Sequence, residues 1–84
     1  MIHKPKERPT LQELQKLVGG YIEIFHSPDG KQQIIVNEEG KMQRLPVNYE
    51  ATAIWLGTSV EKALAYHDVL VGDAVILEGK TMVD

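Results

Sequence analysis

The residues with the clearest potential for binding chemistry form a short polar segment at 37–41, Asn-Glu-Glu-Gly-Lys. Asparagine and glycine are typical of a reverse turn, because the Asn side chain bonds nearby backbone and glycine tolerates positive φ. Turn geometry does not require Glu38, Glu39 or Lys41. We therefore interpret these three side chains as a candidate recognition surface. The alternative is a solvated turn with a surface ion pair that contributes little to stability.

Three further polar residues are expected near this turn: Tyr21, Glu23 and Asn48. An aromatic ring, a carboxylate and an amide together suit a nucleobase, a ribose hydroxyl or the backbone of a partner protein. The predicted binding residues are therefore Tyr21, Glu23, Asn37, Glu38, Glu39, Lys41 and Asn48.

The sequence has no pattern that is typical of catalysis or of a bound metal. His3, His26 and His67 belong to three different predicted elements and lack the paired spacing of metal ligands. There is no cysteine, and no serine or threonine lies in a nucleophile motif. Gly19-Gly20 follows a predicted helix, whereas a phosphate-binding loop follows a strand. We expect a protein that is not an enzyme, with no catalytic residues, no cofactor and no metal.

The first element that positions the binding residues is a helix that begins after Thr10. Thr10 and Glu13 have the spacing of a capping box, which satisfies two amide donors at the start of a helix. Gly19-Gly20 ends the helix, because glycine adopts the left-handed conformation of a helix end without a steric penalty. The apolar stripe consists of Leu11, Leu14, Leu17 and Val18.

A β-hairpin follows, with strands at Tyr21–His26 and Lys31–Asn37 around the turn at 27–30, Ser-Pro-Asp-Gly. Tyr21, Glu23 and Phe25 share one face of the first strand by alternation, and Ile22, Ile24 and His26 share the other. Neither face is plainly polar. We therefore expect this strand either to be covered on both sides or to lie at an interface.

The remaining elements are shorter. We expect a turn at Glu38–Gly40, a third extended piece at Lys41–Leu45 and a helix at Tyr49–Leu56 that Asn48 caps. A further short helix at Ser59–Tyr66, a loop at His67-Asp68, a strand at Ala74–Glu78 and a tail or edge addition at Lys80–Asp84 complete the chain. This pattern predicts the α+β class: an antiparallel sheet of three to four strands with two main helices, the N-terminal helix leading into a β-hairpin.

Composition limits the classes of partner. The chain has 84 residues, which is one domain, and 43% of them are hydrophobic. The net charge of −3 is uneven, because residues 1–9 carry Lys4, Lys6 and Arg8 against Glu7 while the remainder is acidic. We expect a flexible basic arm at 1–9 and a single small domain at 10–84. An acidic body does not fit a nucleic-acid partner.

Size and hydropathy add two expectations. No apolar run approaches the roughly 20 residues of a membrane span, so we expect no membrane partner and a cytoplasmic location. A small domain without disulfides can complete its core by self-association, so we expect a homo-oligomer.

Four segments together resemble a known family: V-G-G-Y-I-E-I at 18–24, N-E-E-G-K at 37–41, L-P-V-N-Y-E-A-T-A at 45–53 and V-G-D-A-V-I-L at 71–77. In order and spacing they are similar to small uncharacterised proteins of bacteriophages, plasmids and conjugative elements. The resemblance covers most of residues 17–79, and 57–66 departs from it. It implies an origin in a mobile element and a site of action in the cytoplasm of a bacterial host, but no reaction.

Two functions follow as hypotheses. The first is a non-enzymatic accessory protein of a phage or mobile element that binds a host or element-encoded protein. The alternative is an oligomeric sponge that sequesters a nucleotide immune signal, an anti-defence role. In that case a pocket at the subunit junction would be lined by Tyr21, Glu23 or Asn48.

Overall fold

A four-stranded sheet forms the centre of the protein in a computed structural model that describes residues 1–66 and 68–83. In spatial order β1-β4-β3-β2, the strands are Ile2–His3 (β1), Ala74–Glu78 (β4), Gln32–Asn37 (β3) and Ile22–His26 (β2). The pairs β2–β3 and β3–β4 are antiparallel, and β1 pairs with β4 in parallel. The helices are Leu11–Val18 (α1), Tyr49–Leu56 (α2), Val60–Ala63 (α3) and a 3₁₀ turn at Gly79–Thr81.

Both faces of the sheet are covered. Successive side chains of a strand point to opposite faces, so the apolar runs of β3 and β4 supply two separate cores. The core beneath α1 contains Leu14, Val18, Ile35, Val75 and Leu77. The core beneath α2 contains Ile34, Val36, Ala51, Leu70, Ala74 and Ile76. The expected α+β class is confirmed, and the described residues form three α-helices and a four-stranded sheet.

Local hydrogen bonds explain where α1 begins and ends. The Thr10 backbone N–H donates to the Glu13 carboxylate at 2.9 Å, and the Glu13 N–H donates to the Thr10 hydroxyl at 3.1 Å. Hydrogen bonding to Thr10 lowers the pKa of Glu13, and the bond from the Thr10 backbone N–H has the largest effect. Gly19 ends the helix with a φ of 80°. The predicted capping box and glycine stop are therefore confirmed.

The hairpin turn is also stabilised by a carboxylate. Asp29 accepts hydrogen bonds from the Lys31 backbone N–H at 3.0 Å and from the Ser27 hydroxyl at 2.7 Å. These two hydrogen bonds lower the pKa of Asp29, and the bond from the Lys31 backbone N–H has the larger effect. The hairpin predicted around this turn is confirmed, and its strands are β2 and β3.

The beginning of the chain differs from the prediction. We expected residues 1–9 to be an arm outside the domain and the sheet to be antiparallel. Instead Ile2 and His3 form β1, which makes the sheet mixed, and Ile2 packs against the core beneath α2. The free edge of β4 offers backbone groups to any extended segment, and the Ala74 N–H donates to the Met1 carbonyl at 3.0 Å. A strand of two residues is too short to show alternation in the sequence.

Three other segments also differ from the prediction. Residues 41–45 are not extended: they form consecutive turns that include Arg44 at a φ of 56°. The helix expected at Ser59–Tyr66 is only the single turn α3, whose start is capped by the Ser59 hydroxyl. Residues 79–81 make a 3₁₀ turn, and the backbone C=O and N–H of Val83 then form hydrogen bonds with the Gln33 side chain at 2.6 and 2.8 Å. His67 and Asp84 lie outside the described residues.

Candidate ligand-binding pocket

A pocket of about 290 Å³, which we call the Trp55 pocket, lies on the α2 side of the sheet, beside edge strand β2. Its size is near the lower limit of typical ligand sites, about 300 Å³, and suits one side chain or one small ring system. It is lined by Glu23, Phe25, Val36, Asn37, Glu38, Lys41, Met42, Trp55, Asp68, Val69, Leu70 and Val71.

Two aromatic rings form one wall of the pocket. Phe25 points to the α2 face of β2, and Trp55 lies in the last turn of α2. Their ring centroids are 5.1 Å apart with an interplanar angle of 61°, an edge-to-face arrangement that aromatic pairs favour. Both rings are partly buried and pack against the core beneath α2. The core therefore holds the aromatic wall in place.

The polar lining of the pocket is mostly acidic. It contains the carboxylates of Glu23, Glu38 and Asp68, and one ammonium group, that of Lys41. The Lys41 Nζ lies 3.0 Å from the Asp68 Oδ1, and the two side chains are 63% and 71% exposed. An exposed pair of this kind contributes little to stability. With Lys41 paired to Asp68, Glu23 and Glu38 carry the uncompensated charge of the lining.

The turn at 38–44 positions Glu38 and Lys41. The Asn37 side chain is buried, accepts a bond from the Glu39 N–H at 2.8 Å and donates to the Val18 carbonyl at 3.2 Å. Gly40 is buried against Val71, and a Cβ at Gly40 would come within 2.8 Å of the Val71 Cγ2 atom. Asn37 and Gly40 therefore fix the conformation of the turn, which does not depend on the charged side chains of Glu38 and Lys41.

The opposite wall, residues 68–71, is tied to the start of α2. The Leu70 N–H donates to the Thr52 hydroxyl at 2.9 Å, and the Asn48 N–H donates to the Leu70 carbonyl at 2.8 Å. The Asn48 amide nitrogen also donates to the Gly72 carbonyl at 2.8 Å, while its oxygen caps α2 by accepting from the Ala51 N–H at 3.0 Å. This network holds residues 70–72 against the start of α2.

The predicted binding residues do not all meet at this pocket. Glu23, Asn37, Glu38 and Lys41 line it. Tyr21 and Glu39 line a separate depression with Gln15 and Gly20. Asn48 is buried, and its amide is used entirely within the fold. Asn48 thus positions the pocket wall and does not line the pocket.

Sequence reasoning missed the aromatic wall and Asp68 as parts of the site. Phe25 could have been found, because it shares a strand face with Glu23. Trp55 and Asp68 gave no such signal. They reach the pocket only through the packing of α2 and of residues 68–71 against the sheet.

Another depression, of about 590 Å³, lies between the hairpin turn and the start of α3. It is broad and open, and two of its polar side chains, Ser27 and Asp29, are bonded to each other. None of the described residues that line it is aromatic, so it lacks the aromatic wall of the Trp55 pocket.

Within residues 1–66 and 68–83, no group of three or more histidine, aspartate or glutamate side chains is arranged to hold a metal ion. No helix in that part of the chain is long and apolar enough to cross a bilayer. The pocket combines an aromatic wall with carboxylate oxygens, and this combination suits a cationic group.

Comparison with known proteins gives a family without a described activity. No curated protein and no solved structure matches this chain. A family profile, described as Domain of unknown function (DUF3846), matches residues 1–82, which is nearly the whole chain. The chain therefore belongs to the DUF3846 family.

Proposed function

We propose that the protein is a non-enzymatic binding module that holds a basic side chain of a partner protein in the Trp55 pocket. The observation that carries the proposal is the lining: three carboxylates and one lysine beside an aromatic wall. An arginine or lysine side chain has an apolar stem for the aromatic wall and a cationic head for Glu23 and Glu38.

The charge of the lining weighs against the nucleotide sponge. A nucleotide would bring its phosphates close to Glu23, Glu38 and Asp68, and like charges repel. Lys41, the one cation that the described residues contribute to the lining, is already paired with Asp68 at 3.0 Å. Of the three residues expected to line a sponge pocket, Glu23 alone lies here. A protein partner with a basic anchor therefore fits the site better.

The biological setting forms part of the same proposal. The motifs at 18–24, 37–41, 45–53 and 71–77 resemble proteins of phages, plasmids and conjugative elements. We therefore propose an accessory protein of a mobile element that acts in the cytoplasm of a bacterial host and binds a host or element-encoded protein.

Small probes test the ligand class before a partner is known. N-acetyl-arginine methylamide and its neutral counterpart, N-acetyl-citrulline methylamide, differ in charge at nearly equal shape. Titration of each into the ¹⁵N-labelled protein should give saturable shifts for the arginine compound alone, at the Trp55 indole N–H and at the Glu38 amide. The chain has one tryptophan, so its indole signal reports this pocket unambiguously.

A panel of cyclic nucleotides and nucleotide-ribose compounds, tested by thermal shift, provides the opposing arm. Ligands that bind only the folded state raise the melting temperature. Stabilisation by a nucleotide, together with no response to the arginine compound, would replace the proposed function with the sponge.

A further inference from the structure

Strand β2 leaves one edge of the sheet unpaired. Within residues 1–66 and 68–83 it pairs with β3 only. The Glu38 N–H donates to the Tyr21 carbonyl at 2.8 Å, and the Ser27 N–H donates to the Gln32 carbonyl at 3.0 Å. The backbone N–H and C=O groups of the odd-numbered residues of β2 therefore point towards β3. By the alternation of an antiparallel ladder, the backbone N–H and C=O groups of Ile22, Ile24 and His26 point outwards.

The other edge of the sheet is protected, whereas this one is not. Edge strand β1 has two residues, and Lys4 and Pro5 follow it. Short length, lysine and proline are the usual means by which proteins prevent edge pairing. Strand β2 has five residues, Ile-Glu-Ile-Phe-His, with no lysine or proline, and the side chain of its central residue, Ile24, is 37% exposed. Its outer edge therefore has the features of a pairing surface.

The sequence of β2 is complementary to itself in one register. A two-fold axis at Ile24 places Ile24 opposite the partner subunit's Ile24 and Ile22 opposite the partner's His26. All three outward-pointing residues then form hydrogen-bonded pairs, which makes six backbone hydrogen bonds. Glu23, the only acidic or basic residue of the strand apart from His26, lies opposite the partner's Phe25 and not opposite its own copy. The register thus avoids a pair of directly opposed like charges.

We propose that two copies of this chain pair through β2 in this register, which joins their sheets into one sheet of eight strands. The pairing itself does not depend on what the pocket holds. Its consequence for the site does rest on the proposed function. Directly opposite residues of a ladder lie on the same face, so the partner's Phe25 comes beside Glu23 at the rim of the Trp55 pocket. A second copy therefore extends the aromatic wall of each pocket.

Sedimentation equilibrium tests the pairing. The wild-type protein should have twice the 9.4 kDa mass of one chain. Ile24→Pro removes the outward N–H of Ile24 and keeps the bonds of β2 to β3, so it should give a folded monomer. Ile24→Val keeps the N–H and should remain a dimer. Circular dichroism of all three proteins checks that each is folded.

Single-cysteine variants test the register, because the chain has no natural cysteine. Paired Ile24 Cα atoms should be about 5.5 Å apart, within the range of a disulfide, about 4.4–6.8 Å. Ile24→Cys should therefore form a disulfide-linked dimer under mild oxidation. His26→Cys, on the same face, is the control: the two sites are displaced by four residues, about 13 Å along the strand, and should not cross-link.

The outcomes separate this inference from the proposed function. A wild-type protein that is monomeric at every accessible concentration would overturn the pairing and leave this edge to a strand of another protein. A dimer that Ile24→Pro does not dissociate would place the interface elsewhere. Binding of the arginine compound by a folded Ile24→Pro monomer, with at least a twofold loss of affinity, is the expected result if both proposals hold.

Discussion

The two faces of the sheet differ in how completely they are covered. On one face, α1 lays Leu14 and Val18 over the central strands, and both side chains are buried. On the other face, α2 buries the small residues Ala51, Thr52 and Ala53. Beside Trp55 this face is not completely filled, and the remaining space is lined by residues of β2 and β3, by the turn after β3 and by residues 68–71. The first face stabilises the fold, and the second contains the pocket.

This difference predicts that substitutions on the α1 face change stability without changing binding. Leu14 is fully buried between α1 and the sheet. Leu14→Ala should lower the free energy of unfolding by about 2–5 kcal/mol, through lost burial and an incompletely filled cavity. Urea unfolding followed by circular dichroism measures the loss. The arginine compound should bind the folded fraction as it binds the wild type.

If Leu14→Ala does not fold, Ile35→Val is a milder change in the same core, with an expected cost of about 0.5–1.5 kcal/mol. If the folded form of either variant binds the arginine compound with a changed affinity, the claim that the α1 face affects stability and not binding is contradicted.

On the α2 face, Thr52 connects stability to the pocket wall. Its hydroxyl donates to the Asn48 carbonyl and accepts from the Leu70 N–H. Thr52→Val keeps the shape and leaves the buried Leu70 N–H without a partner, which should cost about 1–3 kcal/mol. Amide hydrogen exchange should show faster exchange at Leu70 than in the wild type, whereas exchange in α1 should change only as global stability changes. Unchanged protection at Leu70 would contradict the role given to Thr52.

The ion pair at the pocket rim gives two substitutions with opposite expected effects. Lys41→Gln removes a positive charge next to Asp68, so it should tighten binding of the arginine compound; Asp68→Asn should weaken it. Exposed charges interact by about 0.2–1 kcal/mol, so each change should be at most about fivefold. Isothermal titration measures both affinities. If Lys41→Gln weakens binding of the arginine compound, the charge of Lys41 does not oppose the cationic ligand, and the electrostatic account of the pocket is contradicted.

The smallest expected effects are those of two carboxylates outside the pocket. Hydrogen bonds lower the pKa of Glu13 and of Asp29 in the folded state. Each therefore contributes stability above the pKa of its unfolded form, and this contribution is lost as the pH falls through the lowered folded pKa. Glu13→Gln and Asp29→Asn should each lower the melting temperature slightly at pH 7 and equal the wild type in strong acid. A deficit that is the same at every pH would mean that charge is not involved.

The sequence predicted the elements whose signals are local. The capping box at Thr10, the glycine stop at Gly19, the hairpin around Asp29 and the cap at Asn48 each depend on residues only a few positions apart. The predictions for β1 and for the turns at 41–45 were wrong, because long-range contacts determine the structure of these segments. The edge of β4 recruits Ile2, and Gly40 must lie against Val71.

The candidate site shows the same limit. The turn at 37–41 was identified from residue types that exceed the needs of a turn, and Glu38 and Lys41 do line the pocket. Tyr21, Glu39 and Asn48 were predicted as binding residues from their positions in the sequence and their polar groups. In the structure Tyr21 and Glu39 line a different depression, and Asn48 is buried. Trp55 and Asp68 were absent because only tertiary packing brings α2 and residues 68–71 beside β2.

The most direct test compares two neighbouring charge reversals in the same turn. Glu38 and Glu39 are both exposed, but Glu38 lines the Trp55 pocket and Glu39 lines the separate depression beside Tyr21. The dissociation constant of N-acetyl-arginine methylamide should rise about tenfold or more in Glu38→Lys, a change of about 1.4 kcal/mol. In Glu39→Lys it should stay within about twofold, because charges outside the site are screened at physiological salt. Equal losses in the two variants, or no loss in Glu38→Lys, would contradict the assignment of this pocket as the binding site of a basic side chain.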